Sequence, residues 1–352
     1  MQWFAAFLPL AFPERLSRCG VFGQDCPATG KAQNQMTDHS EIAQAVAAGR
    51  YIMICGPTAA GKSAAALALA EQVGGTVINA DSMQVYSDLR VVTARPGPDD
   101  EARAPHRLYG IVDGGERASV ASWLDLAAEA VDEARNAGSL PIIVGGTGMY
   151  LQAARDGIAP IPEVPAEIHR ACLEELAARG GAAFREELSK LDEETASRLF
   201  DGDSQRLVRA MGVVRATGRP ISTWQSDPHQ GALAGEAVAI SVMPSRADTY
   251  ARIDRRFAQM MEEGAVEEVE ALAERGLDPS LPVMKAIGVR EILAMQAGEI
   301  SRGRAIELAS RDSRHYAKRQ MTWIRNNYRA QISIDEKFST RFVKEIFSIL
   351  LK

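Results

Sequence analysis

The chain has 352 residues, 46% hydrophobic and 24% charged, with a formal net charge of −6. This composition fits a globular protein of about two domains; it excludes a uniformly basic surface of the kind that coats nucleic acid, and no apolar run approaches the roughly 18 residues of a spanning helix. Cys19, Cys26, Cys55 and Cys172 form no CxxC pair and no histidines cluster, so neither a zinc site nor a disulfide framework is indicated and reduced thiols in the cytoplasm are the simplest reading.

The opening Met1–Phe12 is apolar but has no Lys or Arg before it, and Pro13-Glu14-Arg15 follows where a small-residue cleavage site would stand, so it reads as a non-signal segment. Residues 1–35 lack periodicity; either Met36 is the natural start or they form a disordered tail. A helix is expected over Glu41–Ala48. An apolar strand, Tyr51–Cys55, then runs into Gly56-Pro57-Thr58-Ala59-Ala60-Gly61-Lys62-Ser63 and an alanine-rich helical pattern to Val73. A glycine-bracketed loop between a buried strand and a helix N-terminus aims backbone N–H groups inward, Lys62 adds a full charge, and the Ser63 hydroxyl can hold Mg²⁺. Such a P-loop suits a di- or triphosphate, without specifying which.

A second buried strand, Thr76–Ala80, ends in Asp81, and a carboxylate there faces the ligand crevice of an open α/β sheet. Asp81 could order Mg²⁺, act as a general base, or merely cap a helix. Ser87–Leu108 reads as loop. A helix over Val120–Ala137 precedes a third strand, Leu140–Val144, running into Gly145-Gly146-Thr147, where Thr147 offers a hydroxyl to a phosphate oxygen or completes a simple turn. The βα alternation predicts an α/β fold, a parallel sheet with right-handed crossovers flanked by helices.

From residue 158 strand signals stop. Helices are predicted over Pro165–Gly180, Gly181–Leu191, Glu193–Leu199 and Ser204–Thr217, before a further strand at Val238–Met243. Tyr250 to Leu272 recurs at helical spacing over some seven turns, with an acid-rich face, Glu262–Glu274, expected to be solvated. From Arg302 to Arg329 eight Lys/Arg face only Glu307 and Asp312, a local +6. Arg311, Arg314, Lys318 and Arg325 share one stripe of that helix beside Ala317, Met321, Ile324 and Tyr328, so it could dock on the core and face a polyanion, or its charges could simply be solvated. The segments read as an extension (1–45), a P-loop core (46–157), a helical insertion (158–235) and the rest of the core with its basic helix (236–352).

Several motifs in register with one another carry a resemblance: Gly56–Ser63, Asn79–Tyr86, Thr93–Pro96, Pro105-His106, Gly145–Leu151, Asp203–Leu207, Met284–Glu291 and Arg314–Trp323. In order and spacing along residues 50–330 they closely resemble the tRNA dimethylallyltransferases, also called tRNA isopentenyltransferases, of bacterial type. The resemblance implies transfer of a dimethylallyl group from dimethylallyl diphosphate to N6 of adenosine 37, just 3′ to the anticodon, by a cytoplasmic monomer with no membrane association. It implies that the P-loop and Mg²⁺ cradle the departing diphosphate, that Asp81 is the general base, and that Thr147 and Arg252 help bind the diphosphate. It also implies RNA contacts from Asp81, Ser82, Met83 and Gln84, from Gln205, Arg206, Leu207, Val208 and Arg209 on the insertion, and from Lys285, Arg314, Lys318 and Arg319. Ala60 stands where the family often has another small or hydroxylated residue, the N-terminal extension has no counterpart in the family, and no zinc-finger tail like that of eukaryotic relatives is present. Two alternatives keep the same loop: an adenylate isopentenyltransferase acting on AMP, ADP or ATP, and a P-loop kinase or ATPase in which Asp81 binds Mg²⁺.

Overall fold

A computed structural model describes residues 39–335 and 340–350 of the chain; the N-terminal segment, with Met36, Cys19 and Cys26, lies outside the described residues. After α1 (His39–Ala47) the chain alternates strand and helix: β1 (Tyr51–Cys55), α2 (Lys62–Val73), β2 (Thr76–Asn79), α3 (Pro98–Arg103), β3 (His106–Arg107), α4 (Val120–Asn136), β4 (Pro141–Gly145) and α5 (Gly148–Asp156). Helices alone follow: α6 (Ala166–Ser189), which is broken at Gly180 (φ 76°) where the sequence predicts two helices, then α7 (Glu193–Arg198), α8 (Ser204–Thr217) and α9 (Ile221–Gln225). The chain then continues with β5 (Ala237–Val242), α10 (Arg246–Glu262), α11 (Ala265–Glu274), α12 (Val289–Gln296), α13 (Arg302–Asn327), β6 (Ile332–Ile334) and α14 (Thr340–Leu350).

The six strands form one sheet in the order β3-β2-β4-β1-β5-β6, and every pairing is parallel. The parallel sheet flanked by helices expected from the βα alternation is therefore present. Parallel strands bury both faces, and the alternation of side chains shows it. Tyr51, Met53 and Cys55 enter one apolar core with Ile78 and Ile143, while Ile52 and Ile54 enter the opposite core with Val77, Ile142 and Val144. Each such fully buried aliphatic side chain contributes about 1.5–3 kcal/mol. A third core, around Phe184, Leu188, Leu207, Val208 and Met211, is built by α6–α9, with Ile161 and Val164 of the segment before α6 packed against it.

Helix boundaries follow local chemistry. Ser119, Ser245 and Ser301 accept the Ser122, Asp248 and Arg304 amides and start α4, α10 and α13. The single run expected from Tyr250 to Leu272 is instead two helices, because Gly264 adopts φ 108°, a left-handed conformation that stops α10 and turns the chain into α11. The expected loop Ser87–Leu108 contains α3 and the two-residue β3. These were illegible because α3 buries no residue and so shows no apolar stripe, and β3 exists only through its pairing with β2. The expected solvated acidic face is also incomplete: Glu268 is half-buried, and its carboxylate accepts the amides of Val91 and Val92, both at 2.9 Å, and of Arg90. It fixes the turn that follows the Asp81 segment.

Candidate active site

Three loops leave the C-terminal ends of β1, β2 and β4, where open parallel sheets hold ligands. The first is Gly56–Gly61, with Ala59 at φ 62° and Gly61 at φ 95°; this reversal of the backbone leads directly into α2. Ala60 is buried among the apolar side chains beneath, so it acts through its main chain. Lys62 is half-buried, donates only to the Pro57 carbonyl at 3.4 Å, and has no ion-pair partner among the described residues. Burial lowers its pKa, and the nearby Asp81 carboxylate opposes that shift. The Ser63 hydroxyl is exposed and makes no hydrogen bond among the described residues.

The second loop carries Asp81. Its amide is held by Asn79 Oδ1 at 2.9 Å, and its Oδ1 accepts the Met83 amide at 3.0 Å, so it closes a turn; no helix begins here, and the helix-cap alternative does not hold. Oδ2 takes no hydrogen bond among the described residues, which leaves half of the carboxylate for a ligand. Gln84 commits its amide nitrogen to the Thr93 and Ala94 carbonyls at 2.9 and 3.0 Å. Met83 packs against the core, whereas Ser82 donates its amide to Thr147 Oγ1 at 2.9 Å.

The third loop is Gly145–Thr147. Glycines are demanded here by crowding: a Cβ at Gly145 would lie 2.0 Å from the Ala80 carbonyl oxygen, and one at Gly148, the first residue of α5, 2.4 Å from the Trp323 ring. The Thr147 hydroxyl also donates to Ser82 Oγ at 3.2 Å, so it is engaged in tying β4 to the Asp81 loop. Burial, and then the Asp81 charge, push the Tyr316 hydroxyl above its ordinary value.

Helices α10 and α13 complete the site. Arg252 donates to the Ala60 carbonyl at 3.2 Å. Arg256, one turn later and not anticipated from sequence, donates to Thr58 Oγ1 at 2.6 Å; burial lowers its pKa, with Asp81 opposing. The spacing from Arg252 to Arg256 was the available signal, since residues four apart share a helix face. Gln320, also not anticipated, is buried and touches both the first and third loops. Lys62, Arg252 and Arg256 thus surround one loop with no salt-bridged carboxylate among the described residues. Lys62 and Arg256 are partly buried and Arg252 is exposed; partly desolvated cations with no salt-bridged partner are costly unless an anion completes the site.

The expected RNA contacts divide. Lys285 and Arg319 line a cleft of about 660 Å³ with Arg290, His315, Met284 and Ile287. Lys318 is exposed on α13, whereas Arg314 is ion-paired with Asp254 of α10. On α8, Gln205, Arg206 and Arg209 are exposed, with Arg206 bonded to Asp203 at 2.8 Å. Leu207 and Val208 are corrected: they are 0% and 1% exposed, because helical periodicity turns them into the core of α6–α9, and their side chains cannot reach RNA. Among the described residues no helix is long and apolar enough to cross a membrane, and no cluster of three or more His, Cys, Asp or Glu is arranged to hold a metal by itself.

Comparison with known proteins places this geometry. The family model for IPP transferase matches residues 84–327. A tRNA dimethylallyltransferase of Rhodopseudomonas palustris strain BisA53 is 50% identical over 279 residues, covering 79% of this chain and 85% of that protein. The one from Rhodospirillum rubrum is 49% identical over 291 residues, covering 82% and 89%. The crystal structure of a tRNA isopentenylpyrophosphate transferase from Bacillus halodurans superposes with a TM-score of 0.61 at 30% identity, covering 86% of this chain and 95% of that one. A eukaryotic dimethylallyltransferase acting on tRNA gives 0.67 at 28% identity, covering 78% and 69%. With a family model spanning more than half of its length and relatives half identical along most of theirs, this chain belongs to the IPP transferase family.

Proposed function

We propose that this chain is a tRNA dimethylallyltransferase: it moves a dimethylallyl group from dimethylallyl diphosphate to N6 of the adenosine beside the anticodon and releases diphosphate. The observation that carries the reading is the meeting, at the ends of β1 and β2, of a cationic loop with no salt-bridged carboxylate among the described residues and a carboxylate with one free oxygen. Relatives half identical to this chain bear that activity in their names.

An exocyclic adenine amine is a weak nucleophile because its lone pair is delocalised into the ring. Asp81 Oδ2 is suited to accept its N–H as the new C–N bond forms and the allylic C–O bond breaks, the bonding pair leaving with the diphosphate. Lys62, Arg252, Arg256 and the amides of the Gly56–Gly61 loop are suited to stabilise the charge growing on the leaving oxygens. No phosphoryl group moves. Thr147 acts on Ser82 and so keeps the two halves of the site at a fixed separation.

Mg²⁺ fits the residues present: the Ser63 hydroxyl is exposed and uncommitted, and this ion usually takes one or two protein groups together with substrate phosphates. When bound it would supply further charge stabilisation to the leaving group. The acceptor base must leave the anticodon stack, which costs a few kcal/mol; the exposed Gln205, Arg206 and Arg209 of the helical segment and Lys285, Lys318 and Arg319 of the core are suited to offset this by gripping the loop, where RNA sequence is readable. A cytoplasmic monomer is part of the same proposal. Incubation with unmodified tRNA, dimethylallyl diphosphate and Mg²⁺, followed by digestion and mass spectrometry, should yield N6-dimethylallyl adenosine; tRNA whose adenosines all keep their original mass would defeat the proposal.

A further inference from the structure

We infer that Gln320 is a positioning residue of the diphosphate site, holding the Gly56–Gly61 and Gly145–Thr147 loops in one register from its place on α13. The inference rests on the functional reading above and adds to it a residue that touches neither substrate. Gln320 is 5% exposed. Its Oε1 accepts the Thr58 amide at 2.8 Å, and its Nε2 donates to the Gly146 carbonyl at 2.9 Å. One neighbour can only donate and the other only accept, so the orientation of the side-chain amide is fixed.

The hydrogen-bonded register between β1 and β4 ends at the pair Cys55 and Gly145. Beyond it both backbones continue as loops, and the Gln320 amide supplies the next rung in place of a peptide group. The fit is close: a Cβ at Gly146 would lie 2.2 Å from Gln320 Nε2 and 3.1 Å from the Gly56 carbonyl oxygen. Thr58 is consequently held from two helices, its amide by Gln320 of α13 and its hydroxyl by Arg256 of α10. Without Gln320 the Thr58 N–H and the Gly146 carbonyl lose their partners, and the loop gains freedom to rotate its amides away from the ligand. Misplacement of a site by an ångström is enough to cost a large part of its effect.

The neighbouring Met321 separates positioning from mere packing. It is buried on the same helix and makes no hydrogen bond to either loop. Gln320→Met and Met321→Ala should be compared with the unaltered chain for melting temperature, for affinity for inorganic diphosphate with Mg²⁺ by calorimetry, for kcat and KM, and for affinity for an anticodon stem-loop RNA. Gln320→Met should weaken diphosphate binding and raise KM for dimethylallyl diphosphate about tenfold or more. Its kcat should fall less than that and its RNA affinity should stay within about twofold. Met321→Ala should lower the melting temperature yet keep diphosphate affinity within about twofold. If Gln320→Met does not fold, Gly146→Ala displaces the same amide and should give the same split. Unchanged diphosphate affinity in the folded Gln320→Met protein, or an equal loss in Met321→Ala, would overturn the inference. Failure of the unaltered chain to bind diphosphate would instead defeat the functional reading, and this inference with it.

Discussion

The carboxylate of Glu268 on α11 accepts the Val91 amide at 2.9 Å, from a turn 177 positions earlier in the chain. It takes the Arg90 and Val92 amides as well, and the same turn offers the carbonyls that orient Gln84. Glu268→Ala strands three backbone donors, so it should cost about 2–4 kcal/mol. The denaturant midpoint should fall and KM for tRNA should rise; an unchanged midpoint would assign the contact no weight.

Asp81 serves both the turn and the chemistry, and one substitution separates the two. Asp81→Asn keeps an oxygen for the Met83 amide and loses the basic carboxylate. Melting temperature and tRNA affinity should stay near those of the unaltered protein while turnover falls about 10²-fold. Reduced affinity with normal turnover would move Asp81 from catalysis to binding.

Arg314 and Lys318 looked equivalent on a helical wheel, yet only Lys318 is unpaired among the described residues. Replacing Lys318 and Arg319 by Ala should reduce the slope of log affinity against log salt for tRNA by roughly 0.7 per cation lost from a single-stranded contact. Arg314→Ala should change the slope less. Equal slopes for all variants would mean that these charges are simply solvated.

Cys55 sits at the end of β1, and burial pushes its thiol up to about 12 from an ordinary 9.0, with Lys62 opposing. Only the thiolate reacts with alkylating agents, so at mildly alkaline pH iodoacetamide should spare Cys55 in the native protein and label it in denaturant. Because the folded value exceeds the unfolded one, the unfolded chain loses the proton first. The thiol's contribution to stability is therefore complete below pH 9 and lost as pH rises toward 12. Peptide mapping of native protein that finds Cys55 alkylated as fast as in denaturant would contradict this.

What the sequence disclosed was whatever is local. Gly56–Ser63, Asp81 and Thr147 stand at strand ends, where strand patterning and a few punctuating residues are enough to place them. Gln320 was hidden because its role depends on how α13 lies across the strand ends, a long-range matter that no spacing encodes; for Arg256 the four-residue spacing from Arg252 gave the shared helix face but not what that face meets. Glu268 was hidden for the same reason: in a run of acidic residues, nothing local distinguishes the one that turns inward. Leu207 and Val208 were legible as core from helical periodicity, but the motif match enrolled the whole of Gln205–Arg209 as RNA contacts. Gly264 was readable as a breaker, and the strong apolar repeat across it masked the break.

The most direct test supplies Mg²⁺ and radiolabelled dimethylallyl diphosphate, with unmodified tRNA in one reaction and AMP, ADP or ATP in another. Label should appear on the tRNA and map to the adenosine immediately 3′ of the anticodon, with none on the mononucleotides. Label on a mononucleotide, or on neither acceptor while ATP is hydrolysed, would contradict the account.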